Sequence, residues 1–200
     1  MGLWEKTANQ DVSFPMRRYK DTYRIDSTRL PGHDYASAGW YHVVICTQDR
    51  ACVLGRVRGG IMGLSRAGCV VAQEWQKTPR IRPYVRLDAW MVMPNHMHGI
   101  IGITTEAPAR PSVETARRAV STPEDAAHSA RLQAHSLGAI IGQFKSVCTK
   151  RIRRTGLLPD FAWQPRFYDR VIRNERERWA TRRYVLNNPL TWRRDPYFSG

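Results

Sequence analysis

The chain is poor in acid, has no clustered cysteine and no long apolar run, and each lack closes off a class of protein. Lys and Arg number 32 against 17 Asp and Glu over 200 residues, a formal net charge of +15. With an isoelectric point near 10.4, such a chain needs a polyanionic partner more than a cationic or neutral one. Its four cysteines, Cys46, Cys52, Cys69 and Cys148, form no CxxC pair, which argues against a structural zinc site or a disulfide framework. No apolar stretch approaches the ~20 residues that a membrane span requires, so no membrane partner is expected. The opening MGLWEKTANQ has no apolar signal core, which makes the cytoplasm the expected compartment. A GxxxxGK[ST] phosphate loop is missing as well, and no nucleotide cofactor is expected. What remains, 42% hydrophobic and 24% charged, suits one globular domain with appendages.

The excess charge is unevenly spread. From Lys150 to Arg194 there are twelve arginines and one lysine against Asp160, Asp169, Glu175 and Glu177. Phe161, Trp163, Phe167, Tyr168, Trp179, Tyr184 and Trp192 are interleaved with them. Guanidinium groups suit phosphates and aromatic rings suit unstacked bases, so this mixture points to nucleic acid with unpaired bases, ahead of an acidic membrane surface.

Residues 1–38 are polar, basic and turn-rich and read as an N-terminal arm. From Gly39, WYHVVICTQ is β-branched and aromatic and predicts the first core strand. ACVLGRV and GIMGLS, joined by an RGG turn, predict a small hairpin, and a helix follows over 65–77. YVRLDAWMVM and HMHGIIGI flank a Pro94-Asn95 turn and predict a second hairpin. Residues 104–134, rich in Ala, Ser, Thr and Pro, read as a long insert without a core of their own. LGAIIGQFKSVCTKRI sets Leu137, Ile140, Ile141, Phe144 and Val147 on one helical face. FAWQPRFYDRVI is extended, broken at Pro165. A last helix starts at Asn174, with Glu177 completing a capping-box pattern, and ends near Pro189. The order is that of an α+β, ferredoxin-like βαββαβ antiparallel sheet with an added C-terminal helix, over 39–200.

Two places could carry chemistry. In a strand His96 and His98 project to the same face while Met97 points away. They are either two surface histidines or a pair sharing a divalent metal. Tyr184 lies in RRYVLNNP with Asn188 one helical turn on. It is either an ordinary packing tyrosine or a nucleophile. A free phenol, with pKa ~10, needs help to ionise, and Arg182, Arg183 or a metal could supply it. Asn188 could complete a ligand set acceptable to a hard ion such as Mg²⁺ or Mn²⁺. His33, His42, His128 and His135 have ordinary arm, sheet or loop roles. Trp163 and Gln164 are either core packing or a stacking and base-reading pair.

MPNHMHGII, LGAIIGQFKS, WQPRFYDRVIRNE and RRYVLNNPLTW, in this order and spacing, resemble the REP-associated tyrosine transposases, single-tyrosine members of the HUH superfamily. RYKDTYRIDSTRLPGHDY and WYHVVICTQDR resemble one branch of the same family, so the likeness covers nearly all of the chain outside 104–134. The resemblance implies an HUH fold, His96 and His98 as metal ligands and Tyr184 as nucleophile. Asn188 takes the third metal position, where insertion-sequence relatives commonly carry Gln. It also implies a Mg²⁺- or Mn²⁺-dependent transesterification that cleaves and rejoins single-stranded DNA at palindromic hairpins through a 5′-phosphotyrosine. Arg166, Arg170, Arg173, Arg182 and Arg183 are the expected DNA grips, and the expected state is a monomer, with a dimer as the alternative. The competing reading is a non-catalytic DNA-hairpin-binding protein derived from a transposase.

Overall fold

The computed structural model describes residues 30–104 and 135–198. The first core strand, β1 (Gly39–Cys46), is set by alternation. Tyr41, Val43 and Ile45 enter the main core, while Trp40 packs on the opposite side, against a smaller cluster. A hairpin follows, β2 (Gly55–Arg58) and β3 (Ile61–Leu64), forming its own two-stranded sheet. Helix α1 (Arg66–Ile81) starts where the Ser65 side chain accepts from Gly68 N. It runs past the expected end at 77 and through Pro79. A proline this close to a helix C-terminus forfeits one backbone bond and leaves the last turn intact, and Arg82 N still closes that turn on Thr78 O.

Strands β4 (Val85–Val92) and β5 (His96–Ile103) form the second hairpin. Helix α2 (Leu137–Arg154) is capped by Ser136, β6 (Tyr168–Ile172) is short, and α3 (Glu175–Asn187) is capped by Asn174. The principal sheet has the order β4-β5-β1-β6 with every neighbouring pair antiparallel. Setting the β2–β3 hairpin aside, this is an α+β fold consistent with the ferredoxin-like arrangement. The arm up to residue 29 and the insert over 105–134 lie outside the described residues.

Two layers flank the sheet. Helices α1 and α2 bury one face around Trp75, Val43, Ile45, Met97, Ile101, Ile140, Ile141 and Phe144. A Cβ on Gly99 would come within 2.4 Å of the Trp75 ring, so the glycine lets α1 lie close to the sheet. Helix α3 covers the other face through Ile100, Ile172 and Val185, the last being its one buried residue among those described. Burying so few apolar groups is weak anchorage for a helix. A bulge in β4 supplies more: pairing slips between Leu87 and Trp90, so Asp88 and Ala89 oppose the single Ile100. Asp88 there receives two bonds from Arg182, Nε at 2.8 Å and Nη2 at 2.6 Å. Arg178 lies over the Trp40 ring at 4.7 Å.

The segment before β6 is not a continuous strand. It touches the sheet by one bridge, Thr47 to Trp163, and by Gln164 N donating to Cys46 O. After α3 the chain does not leave the domain at Pro189. Pro189 instead opens a 3-10 stretch, Asn188–Arg194, where its missing N–H costs nothing. That stretch carries Asp195 back beneath the helix.

Candidate metal centre and tyrosine site

Strand geometry puts His96 and His98 on the α3 side of β5, and both are fully buried. Their Nε2 atoms face each other at 3.0 Å. Their outer nitrogens are engaged: His96 Nδ1 lies 2.8 Å from Asn95 Oδ1, and His98 Nδ1 lies 3.2 Å from His42 Nε2. Asn95 is itself fixed, because its amide nitrogen donates to Arg50 O and Tyr197 O. Its oxygen must therefore accept from His96, which places that proton on Nδ1 and leaves Nε2 a bare lone pair.

Asp195 approaches from the end of the 3-10 stretch, Oδ2 being 3.9 Å from His98 Nε2. His96, His98 and Asp195 offer ligand atoms all within 4.8 Å of one another. Asn188, fully buried, donates from Nδ2 to Asp195 Oδ2 at 2.7 Å and lies 3.3 Å from His98 Nε2. Its Oδ1 is buried with no hydrogen-bond partner, an arrangement that costs free energy unless something else satisfies the oxygen. As placed, Asn188 turns a donor toward the cluster and Asp195 brings the carboxylate. Rotating the amide would exchange its oxygen and nitrogen at the cluster.

Electrostatics favour a cation here. Burial first, and then the neighbouring His98, lower His96 to about 3, and burial and His98 do the same to His42, again to about 3. Both rings are therefore neutral near neutral pH, the state in which imidazole binds metal. Burial pushes Asp195 up, but hydrogen bonds from His98, Asn188 and the Tyr197 amide outweigh it and keep the carboxyl below its usual range. At 3.0 Å the His96 lone pair either accepts a proton from His98 Nε2 or, with that proton displaced, shares a cation with it beside the Asp195 carboxylate. The spacing suits adjacent positions of a six-coordinate ion, since right-angled bonds of ~2.1 Å leave ligand atoms about 3.0 Å apart. The buried His–His–Asp cluster can hold a divalent cation.

Tyr184 stands over this cluster on α3. Its ring centroid is 5.3 Å from that of His98 and 6.2 Å from that of His42, edge-on to both. The residue is 43% exposed, so a substrate can reach it. Burial, followed by Asp195 and Tyr168, pushes the phenol up to about 12, with Asn188 pulling the other way. Arg182, considered as help for the phenol, forks onto Asp88 and stacks over Trp179 at 4.4 Å.

Of the arginine candidates, Arg166, Arg170, Arg173 and Arg183 are exposed. Arg170 pairs in register with His42, on the site's face of the sheet, and reaches Glu177 only at 3.6 Å. Trp163 is buried against Phe161 and Phe144, so it packs the core. The site also draws in residues that the sequence left in ordinary roles. His42 carried a weak signal, its place in a strand beside the HMH strand. Asn95 looked like a turn residue, and Asp195 follows two arginines just beyond the basic stretch.

The described residues thus form an antiparallel α+β sheet with a metal-capable histidine pair beneath a tyrosine-bearing helix. No family model matches the chain. An uncharacterized protein of Haemophilus influenzae is 31% identical over 172 residues, spanning 86% of this chain and 92% of its own length. The chain belongs to the same family as that protein. Among solved structures, a REP-associated tyrosine transposase bound to a REP hairpin shares the fold, with a TM-score of 0.52 at 18% identity over 84% of this chain and 74% of the other.

Proposed function

We propose that the chain is an HUH-type, metal-dependent enzyme that cleaves and rejoins single-stranded DNA beside a hairpin, with Tyr184 as nucleophile. The observation that carries this reading is the Tyr184 ring set 5.3 Å from His98, above the converging nitrogens of His96 and His98. A packing tyrosine has no need of a buried metal-capable cluster beside it. His96 and His98 would hold the ion, with the remaining positions drawn from Asn188, Asp195 and solvent. The ion, Mg²⁺ or Mn²⁺, would polarise a non-bridging phosphate oxygen and stabilise the charge that grows there.

The chain's own groups do the rest. Tyr184 Oη loses its proton and forms a bond to phosphorus, and the bond from phosphorus to the 3′-oxygen breaks. The products are a 5′-phosphotyrosine and a 3′-oxygen that takes up a proton. Attack by a 3′-hydroxyl reverses the step, so the ester is exchanged and no nucleotide is consumed. Arg166, Arg170, Arg173 and Arg183 would hold the strand and the hairpin. Arg182 would act through Asp88, by holding the helix that carries the tyrosine. The fold shared with a transposase that binds a REP hairpin supports a palindromic hairpin as substrate. The reading takes the chain as a monomer that carries its own tyrosine helix.

The test is adduct trapping. Labelled hairpin DNA with a single-stranded flank and Mn²⁺ should leave a denaturation-resistant protein–DNA band. Tyr184→Phe removes only the hydroxyl and should abolish the band while leaving DNA affinity within about twofold, since phosphate contacts dominate affinity. Chelator, His96→Ala and His98→Ala should also abolish it. A non-catalytic hairpin binder would give no band with wild-type protein, and a water-using nuclease would cut the DNA without forming one.

A further inference from the structure

His42 has no place in the chemistry above, yet its ring meets three others at the site. It lies on β1, one strand over from the histidine pair, with Val44 rather than His42 directly opposite His98. The residue is 8% exposed. Its imidazole stacks on that of His98, with centroids 5.4 Å apart and planes 17° from parallel, and its Nε2 is 3.2 Å from His98 Nδ1. The same ring meets Tyr184 edge-on at 6.2 Å and Tyr168 at 6.3 Å. No other described residue has ring contacts to both a candidate ligand and the candidate nucleophile apart from His98 itself.

We infer that His42 is a positioning residue with two separable tasks: it fixes the His98 tautomer through Nε2 and sets the Tyr184 ring through its own edge. The inference rests on the proposed metal and tyrosine roles and extends them to a residue that touches neither metal nor DNA.

Hydrogen-bond logic supports the first task. Asn188 Nδ2 and His96 Nε2 crowd the inner nitrogen of His98 at 3.3 and 3.0 Å. Once a cation takes that inner nitrogen it must offer its lone pair, and the His98 proton then belongs on Nδ1. His42 Nε2 is the acceptor that keeps it there. Ligating histidines ordinarily rely on such a partner, and loss of one typically weakens metal binding 10–100-fold. The second task is steric: with His42 and His98 stacked, their edges and faces form one wall against the Tyr184 ring, and removing either half leaves the phenol free to rotate.

The two tasks come apart with two substitutions. His42→Phe keeps a flat ring against Tyr184 and loses the acceptor, whereas His42→Gln keeps an acceptor and loses the ring. Three readouts are needed, with folding of each variant checked by thermal melting. In Mg²⁺-saturated wild-type protein, imidazole NMR should show the His98 Nδ1 proton hydrogen-bonded and slow to exchange, and His42→Phe should lose that protection. Calorimetric Mn²⁺ affinity should fall 10–100-fold in His42→Phe and stay within about threefold of wild type in His42→Gln. At saturating Mn²⁺ the order should reverse, with the adduct rate near wild type in His42→Phe and at least tenfold lower in His42→Gln.

A residue that merely fills space would lower melting temperature without this crossed pattern, and parallel changes in both variants would overturn the inference. So would a His98 Nδ1 proton that exchanges as fast in Mg²⁺-saturated wild type as in His42→Phe. Wild-type protein that binds no Mn²⁺ would sink the proposed function together with it. Wild-type protein that binds Mn²⁺ and forms adduct, beside variants that change neither measurement, would sink the inference alone.

Discussion

His42 and His96 are held neutral by their surroundings, each lowered to about 3, chiefly by burial and then by His98. In the unfolded chain each would titrate near its ordinary value of ~6.5. The folded-state values are depressed, so the unfolded state takes up protons first as pH falls. The stability these rings contribute is complete above ~6.5 and is lost progressively as pH drops toward about 3. Each histidine can remove up to ~1.4 kcal/mol per pH unit in that window. Melting of the metal-free protein should therefore hold steady from about pH 8 to pH 7 and fall steeply below about pH 6, with a shallower fall in His42→Phe. A profile flat down to about pH 5 would mean that these rings take protons without unfolding, and so are less enclosed than described.

At the scale of elements, α3 is the α-helix that buries the least, Val185 being its one buried residue. Val185, Ile100 and Ile172 make a small apolar seat, and the β4 bulge adds Asp88 to grip Arg182 and approach Arg178. Asp88→Asn keeps the shape and removes the charge, so it should loosen α3 without touching β5. Amide exchange measured by mass spectrometry should quicken several-fold across α3 and stay unchanged in α1 and α2. Mn²⁺ affinity should hold while the adduct rate drops. Unchanged exchange in α3 would show that the apolar seat suffices by itself. The capping residues of α3 were legible because caps are local: Asn174 accepts from Glu177 N, and Glu177 accepts from Arg173 N. The strands and their antiparallel pairing followed from alternation and turns in the same way. The Asp88 bulge was not legible, since a register slip depends on which strand lies alongside. Asp195 was hidden for a like reason. The helix stops at Asn187, beside Pro189 as expected, but nothing in the sequence showed that the 3-10 stretch after it returns the chain to the histidines. Asn95 read as a turn residue because sequence carries no mark of a turn being buried. His96, His98 and Tyr184 could be named because period-two and helical spacing, joined to a family resemblance, single them out before any contact is known.

For the whole molecule, the charge of +15 and the geometry of the sheet make a joint demand on the substrate. The exposed arginines near the site include Arg170, which lies in register with His42, so positive charge and the metal-capable cluster share one face. Exposed aromatic residues are present there too, Trp179 at 58% and Tyr184 at 43%. Bases already stacked in a closed duplex gain little from such rings, whereas unpaired bases gain about 1–3 kcal/mol per stack. A hairpin with a single-stranded flank should thus bind more tightly than a blunt duplex of the same sequence, by tenfold or more at moderate salt. Affinity should also fall steeply with salt, the log–log slope changing by about 0.7 for each single-strand phosphate neutralised. Arg170→Ala and Arg173→Ala should each flatten that slope by about that amount if each meets one phosphate. Arg182→Ala should barely alter it, because its guanidinium is occupied by Asp88. The measurement is a salt titration of hairpin and duplex affinities for wild type and the three variants side by side. Equal affinity for both DNAs at every salt concentration would mean that phosphate attraction alone operates and that the rings read no bases. A flattened slope in Arg182→Ala would mean that Arg182 leaves Asp88 when DNA binds, so that the grip on α3 and the grip on DNA compete for one guanidinium.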